Sequence, residues 1–325
     1  MTETKELQQW LTHACQQDVK NLIPLAGDAS FRRYYRLQLA DQSFVVMDAS
    51  IERASCVPFI AIANTLRSKG LSVPDIIASD TEKGFLLLTD FGDSLFLKTL
   101  TKENAASLYD RALKSLAVLQ TCREVPHWEM PYFSKEFMFK ELILFKEWFL
   151  ERYLKFVLSS HEEKMLTTFF EKIVSSIADQ PYVFMHRDYH SANLMVLPSN
   201  EVGVLDFQDA FIGPVTYDLV SLLRDCYIDW PNEMVTALAL NYQNKIQLNV
   251  SQEEFLKWFD WMGLQRHMKT LLTFSRKYVR DQNSNYLNFI PRTLNYLLTV
   301  SARYPELKQL NSFFEKSNEV SKCAQ

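Results

Sequence analysis

Two short strand-like runs rich in Val, Phe and Tyr make the first readable pattern. Residues 31–49, "FRRYYRLQLADQSFVVMDA", break once, at the turn-like Ala40-Asp41-Gln42, and predict a hairpin. "FIAIANTLRSKG", from Phe59, has apolar positions at helical spacing and ends at Gly70, a residue suited to the position just past a helix. "GFLLLTDFGD" reads as a buried strand running out to a glycine turn. Strand, strand, helix, strand is a small mixed unit closing near Thr89 to Asp93, which sets expected domains of 1–91 and 92–325.

Beyond it the helical period dominates, in "ENAASLYDRALKSLAVLQ", "SKEFMFKELILFKEWFLERYLKFVL", "EEKMLTTFFEKIVSSIAD" and most of residues 233 to 305. The exception is "LMVL" and "VGVLDF", separated by the turn-rich "PSNE", which predict a second hairpin. With no internal repeat and no low-complexity linker, the pattern fits two lobes sharing a cleft better than two independent domains.

Composition narrows the function classes. With 47% apolar and 23% charged residues over 325 positions, the chain can bury a sizeable core, and disorder is excluded. A net charge of -4 gives no general attraction to nucleic acid or anionic lipid, partners that call for a basic surface. Five scattered cysteines without a CxxC pair suit reduced thiols in the cytosol. The polar start "MTETKELQQWLTHACQQD" is not a secretory signal, and no apolar run reaches the length of a membrane span. The expectation is a soluble cytoplasmic protein with no membrane, nucleic-acid or obligate protein partner.

The chemistry concentrates in "VFMHRDYHSANLMVL", residues 183 to 197, where His186, Arg187, Asp188 and Asn193 interrupt two apolar runs. A polar turn is one reading. Catalysis is the other: an Asp followed five residues on by Asn has the spacing of a kinase catalytic loop, and Asp206 in "LDFQ" stands where the metal-binding Asp-Phe-Gly would be. A nucleoside triphosphate needs Mg²⁺ to neutralise its oxygens, and that hard ion prefers a carboxylate and an amide oxygen, here Asp206 and Asn193. A carboxylate free of the metal must accept the proton of the attacking hydroxyl, and Asp188 is the candidate. His186 and His190, at i and i+4, lack a third zinc ligand, so His186 is assigned to pinning the loop backbone. Asp218 in "GPVTYDL" either anchors that loop or caps a helix, and Arg187 either contacts phosphate or neutralises carboxylates.

These blocks, with "GDASFRRYYRL", "VVMDAS", "LLLTDFGD", "ELILFKEWFLERYL", "GVLDFQDAFIGPVTYDLVSLLRDCY" and "GLQRHMK", make the chain similar to the aminoglycoside phosphotransferase and choline kinase superfamily. Within it the chain most resembles the bacterial anomeric kinases of N-acetylmuramate and N-acetylglucosamine, which serve peptidoglycan recycling. The resemblance implies an α+β, two-lobed protein-kinase-like fold, with an antiparallel sheet in the small lobe and a mainly helical large lobe. It implies ATP and Mg²⁺ as cofactors and transfer of the γ-phosphoryl group to the sugar C1 hydroxyl. That hydroxyl is acidified by the ring oxygen, so a weakly basic Asp188 suffices.

The chain departs from the protein-kinase pattern in having Met47 near the position of the strand lysine, no glutamate between residues 54 and 69, and one glycine in the loop at Gly27. The phosphates then need other donors: Ser30, Arg32 or Arg33 with amides of that loop, and Asp90 joins them on the nucleotide side. For the sugar, Glu141, Glu147, Trp148 and Arg152 on one helical stretch, and Asp209 after the metal-binding strand, are candidates. Arg266 and His267 of "GLQRHMK" are further ones, while the rest of the basic run through Lys269, Arg276, Lys277 and Arg280 is expected to be a solvated helix face. Two alternatives stay open: an aminoglycoside or choline-type kinase, disfavoured by the locally basic late helices, and a nucleotide-binding pseudokinase scaffold, opposed by the retained Asp188, Asn193 and Asp206.

Overall fold

The computed structural model describes residues 2–19, 21–25, 32–40 and 42–323. In chain order its elements are α1 (Thr2–Cys15), β1 (Ile23–Pro24), β2 (Arg33–Gln38), β3 (Ser43–Asp48), α2 (Cys56–Ser68), β4 (Ile76–Asp80), β5 (Phe85–Thr89), α3 (Phe96–Thr99), α4 (Ala105–Leu119) and α5 (Lys135–Phe145). A π-helical segment, Lys146–Tyr153, continues α5. Then follow α6 (Ser160–Ala178), β6 (Tyr182–Met185), β7 (Leu194–Val196), β8 (Val202–Val204), β9 (Phe211–Pro214), α7 (Tyr217–Leu223), α8 (Asn232–Lys245), α9 (Gln252–Asp281), α10 (Ile290–Ser301) and α11 (Lys308–Cys323). Cys15, Cys56, Cys122 and Cys226 carry free thiols. Among the described residues no helix is long and apolar enough to cross a membrane.

The chain forms two compact units. The first comprises Met1–Thr101, Glu124–Met130 and Asn193–Ala210, so it runs on past residue 91 and takes in the β7–β8 hairpin. Its five strands pair antiparallel in the order β1-β2-β3-β5-β4. The expected first hairpin is β2 and β3, with Arg33 opposite Asp48 and Gln38 opposite Ser43. Leu7 and Leu11 of α1 cluster with Leu37, Val46, Phe85 and Leu87 on one face of the sheet. Met47, the next residue along β3, points to the other face and is equally buried. Helix α2 ends as its sequence predicts: Gly70 sits at φ 81° and its N–H donates to the Arg67 carbonyl at 2.8 Å.

Main-chain hydrogen bonds tie the β7–β8 hairpin to the rest of this unit: Val196 N–H donates to the Ser94 carbonyl and Val204 N–H to the Ser72 carbonyl, each at 2.8 Å, the latter as part of a parallel bridge between Ser72 and Gly203. Gly203 permits the fit, because a Cβ there would lie 2.7 Å from the Phe91 ring. The hairpin carries Asn193 at its entrance and Asp206 just beyond its exit.

The second unit, Lys102–Arg123, Pro131–Ala192 and Phe211–Gln325, is mainly helical. Helix α9, 30 residues long, is its axis, with α5, α6, α7 and α10 packed on it. From Phe259 to Met268 every residue of α9 is buried, the mark of a helix surrounded on all sides. The two-stranded sheet β6–β9, with Val183 opposite Gly213, leads directly into the loop that holds Asp188.

Candidate active site

The second unit holds the loop of Asp188. Strand β6 ends at Met185, and the following backbone is fixed by one carboxylate: Asp218 accepts the His186 N–H at 2.7 Å and the Arg187 N–H at 3.0 Å. Asp218 is wholly enclosed, and burial pushes its carboxyl up to about 7 against the opposing pull of those two N–H groups. Arg187 has φ 76°, a left-handed conformation uncommon for a side-chain-bearing residue, and its neighbours hold it there. The Tyr189 hydroxyl donates to the Ala112 carbonyl at 2.9 Å, and both the N–H and hydroxyl of Ser191 donate to Asp225. A loop tied down at 186, 187, 189 and 191 leaves Asp188 with little freedom while its side chain stays 38% exposed.

Cations surround that carboxylate. Lys269 Nζ lies 3.3 Å from Asp188 Oδ1. Burial would raise the Asp188 carboxyl, but the charges of Lys269, His190, Arg266 and Arg187 outweigh it and hold the group well below the usual carboxylate range. Asp188 is therefore an ionised, weakly basic carboxylate in a positive environment.

The first unit holds Asn193 and Asp206. Asn193 and Asp206, thirteen positions apart, meet: Asn193 Nδ2 donates to Asp206 Oδ2 at 3.3 Å, and the Leu205 N–H donates to the Asn193 carbonyl at 3.0 Å. Asp206 adopts φ 62° and accepts Gln208 Nε2 on its other oxygen at 2.8 Å. Beside it, Arg32 Nη2 lies 3.1 Å from Asp209 Oδ2, and the Arg32 side chain is 9% exposed against 65% for Asp209. One carboxylate and one amide oxygen are hard donors of the number that Mg²⁺ takes from a protein when phosphate oxygens and water complete its shell. Among the described residues no three His, Cys, Asp or Glu side chains gather to make a fuller cage. A carboxylate with a carboxamide is a donor pair whose chemistry suits Mg²⁺.

Other predicted residues fall differently. Ser30 and the loop after Gly27 lie outside the described residues. Arg33 is paired across the hairpin with Asp48 at 2.8 Å. Asp90 closes a turn: it accepts Arg36 Nη2 at 3.1 Å, the Gly92 N–H at 2.8 Å and the Ser43 hydroxyl. Burial would raise its carboxyl, but these donors prevail and hold it low, so Asp90 is spent inside the unit.

Among the sugar candidates, Glu141 is buried and reaches the loop that holds Asp188, accepting Gln265 Nε2 at 2.8 Å and Arg187 Nη2 at 3.4 Å. Glu147, Trp148 and Arg152 engage one another in the π-helical segment: Arg152 lies 2.5 Å from Glu147 and its guanidinium stands 4.2 Å from the Trp148 ring centre. His267 is a correction. It is fully enclosed, its Nε2 facing the Arg224 carbonyl at 3.0 Å and its ring stacked on Tyr296, with no face for a substrate. Arg266 is 3% exposed and adds its charge to the surroundings of Asp188. Lys269 and Gln265 were not singled out from the sequence, where Lys269 reads as solvated. The available signal was the apolar residues on every side of "WMGLQRHMKTLLTF", which bury the polar ones among them.

Residues 21–255 match the model of the phosphotransferase enzyme family. The chain is 42% identical over 294 residues to an N-acetylmuramate/N-acetylglucosamine kinase of Pseudomonas aeruginosa, covering 89% of this chain and 86% of the relative. Its fold is similar to that of an ADP-bound aminoglycoside phosphotransferase, with TM-score 0.62 and 16% identity over 90% of this chain and 97% of the other. It is also similar to a choline kinase from Streptococcus pneumoniae, with TM-score 0.65 and 13% identity over 92% of this chain and all of the other.

Proposed function

The chain belongs to the phosphotransferase enzyme family and is a kinase, and on that premise we propose that it transfers the γ-phosphoryl group of ATP to the C1 hydroxyl of N-acetylmuramate or N-acetylglucosamine. The product is the sugar 1-phosphate, made in the cytoplasm for the recycling of cell-wall sugars. The observation that carries the reading is the meeting of the Asn193 amide with the Asp206 carboxylate at 3.3 Å, with Asp188 five residues before Asn193 in the sequence.

In this reading Asp206 and Asn193 would hold Mg²⁺, which when bound would neutralise polyphosphate charge. Gln208 keeps the Asp206 carboxylate oriented. Arg32 contributes the positive charge that a strand lysine supplies in protein kinases, leaving Asp209 for the phosphates when nucleotide enters. Asp188 orients the acceptor hydroxyl and takes its proton as the new O–P bond forms and the bond from the γ-phosphorus to the β–γ bridging oxygen breaks, with ADP as the leaving group. Its low basicity matches an acceptor whose hydroxyl is acidified by the adjacent ring oxygen. Alignment and electrostatics supply most of the acceleration.

The cations around Asp188 also bear on the acceptor. Aminoglycosides and choline are cationic and would be repelled by Lys269, Arg266 and Arg187, whereas an N-acetylated sugar is neutral and the lactyl group of N-acetylmuramate is anionic. The test is incubation with ATP, Mg²⁺ and a panel of amino sugars, with phosphorus NMR to locate the new ester. A 1-phosphate is expected from the N-acetylated sugars. A 6-phosphate would remove the anomeric assignment, and no product with any acceptor would leave a nucleotide-binding scaffold.

A further inference from the structure

The middle of α9 is an expensive place for polar side chains. Residues Phe259–Met268 are buried without interruption, and a polar group taken from water there costs free energy unless it finds a partner. Gln265 finds Glu141 at 2.8 Å, and Lys269, one turn on and still only 16% exposed, finds Asp188 at 3.3 Å. Being four residues apart, the two share one face of the helix.

Their partners converge on adjacent residues of one loop. Through Glu141, Gln265 reaches the Arg187 guanidinium, which lies 3.4 Å from the second Glu141 oxygen and 4.6 Å from the Phe211 ring centre. Lys269 reaches Asp188 directly. Helix α7 holds the backbone of the same residues through Asp218, so the loop is gripped by main chain from α7 and by side chains from α9. The left-handed Arg187 backbone needs such a double hold to persist.

We propose that Lys269 is a positioning residue of the phosphoryl transfer: its ammonium, carried on a buried helix, fixes the rotamer of the Asp188 carboxylate from which the acceptor hydroxyl is aligned. The proposal rests on the reading of Asp188 as the proton acceptor. Lys269 does not touch nucleotide or metal in this scheme, so its loss acts on the transfer step and leaves nucleotide binding alone. An arginine restores a cation within reach of the same oxygen, and a neutral side chain of similar length does not.

The experiment compares Lys269→Met, Lys269→Gln, Lys269→Arg and Asp188→Asn in the full chain, with circular dichroism to confirm folding and with kcat and the KM for ATP measured separately. Misplacing a reacting group by about 1 Å lowers rates by about 100-fold, so kcat of Lys269→Met and Lys269→Gln is expected to fall by about that factor with KM for ATP within about twofold of wild type. Lys269→Arg is expected to recover most of the loss. A folded neutral variant with kcat within about twofold of wild type, beside an inactive Asp188→Asn, overturns the role of Lys269 and leaves Asp188 standing. Failure of both neutral variants to fold while Lys269→Arg folds makes Lys269 a structural residue and also overturns it. An active Asp188→Asn overturns the underlying reading instead.

Discussion

His267 faces the carbonyl oxygen of Arg224 across 3.0 Å in the interior of the helical unit, with Tyr296 stacked on its ring. Burial drives its imidazole down to about 3, helped by the nearby charges of Arg266 and Arg224 and opposed by the bond to the Arg224 carbonyl. The native state therefore keeps it neutral with Nε2–H donating.

A stability slope follows. The unfolded chain protonates this histidine near 6.5, and the folded chain does not until about 3. Its contribution is complete above 6.5 and is lost as pH falls toward 3, at about 1.4 kcal/mol per pH unit. Urea unfolding of wild type and His267→Gln at pH 7.5, 6.5 and 5.5 is expected to show a lower plateau but a flatter profile in the variant. Parallel profiles would contradict the assignment.

Asp206→Asn is expected to reduce turnover by about 100-fold or more and to raise the Mg²⁺ concentration needed for half-maximal rate, as befits loss of the carboxylate proposed to hold the ion. Gln208→Ala, which frees an Asp206 oxygen held at 2.8 Å, should produce the same Mg²⁺ shift more weakly, by about tenfold. A magnesium titration of each variant at saturating ATP reads both effects.

Arg32 and Arg33 are neighbours in sequence but differ in surroundings. Arg32 is nearly enclosed beside Asp209, while Arg33 is 42% exposed and paired with Asp48. Arg32→Ala should raise the KM for ATP by about tenfold, the loss of one charge-assisted contact, whereas Arg33→Ala should leave it within about twofold. Equal effects in both variants would sink the distinction.

The helical unit contains a buried ion pair between Arg224 and Asp260, to which Arg303 adds a contact at 3.2 Å and the Tyr304 hydroxyl one at 2.9 Å. Asp260→Asn leaves the Arg224 guanidinium without its counter-charge and should cost about 3–5 kcal/mol. Chemical denaturation measures it. A loss under about 1 kcal/mol would mean that water reaches the pair.

The local part of the candidate site was legible because its spacing is short: Asp188 and Asn193 stand five apart around one hairpin whose apolar runs and "PSNE" turn are plain in the sequence, with Asp206 at the returning end. What escaped depended on distant partners or on backbone form. Strand β4 is a five-residue edge strand whose apolar residues, Ile76, Ile77 and Ala78, run together without the polar alternation that marks a half-buried strand. Trp148 and Arg152 do meet, but in a π-helical segment where Glu147, five residues before Arg152, meets it too, and an i, i+4 template does not anticipate that pair. Lys269 was grouped with Arg276, Lys277 and Arg280 by composition. Arg280 is indeed exposed, but Lys269 follows directly on the buried stretch Phe259–Met268 and its side chain is only 16% exposed.

Met47 has one more consequence, for inhibitor chemistry. It is fully enclosed in β3 with Tyr34 opposite on one neighbouring strand and Leu86 on the other. A lysine placed there would bury an ammonium, and α2 carries no acidic residue to receive it. Compounds that gain their hold on protein kinases from a strand lysine, whether by a salt link or by acylating its amine, have no handle on this enzyme.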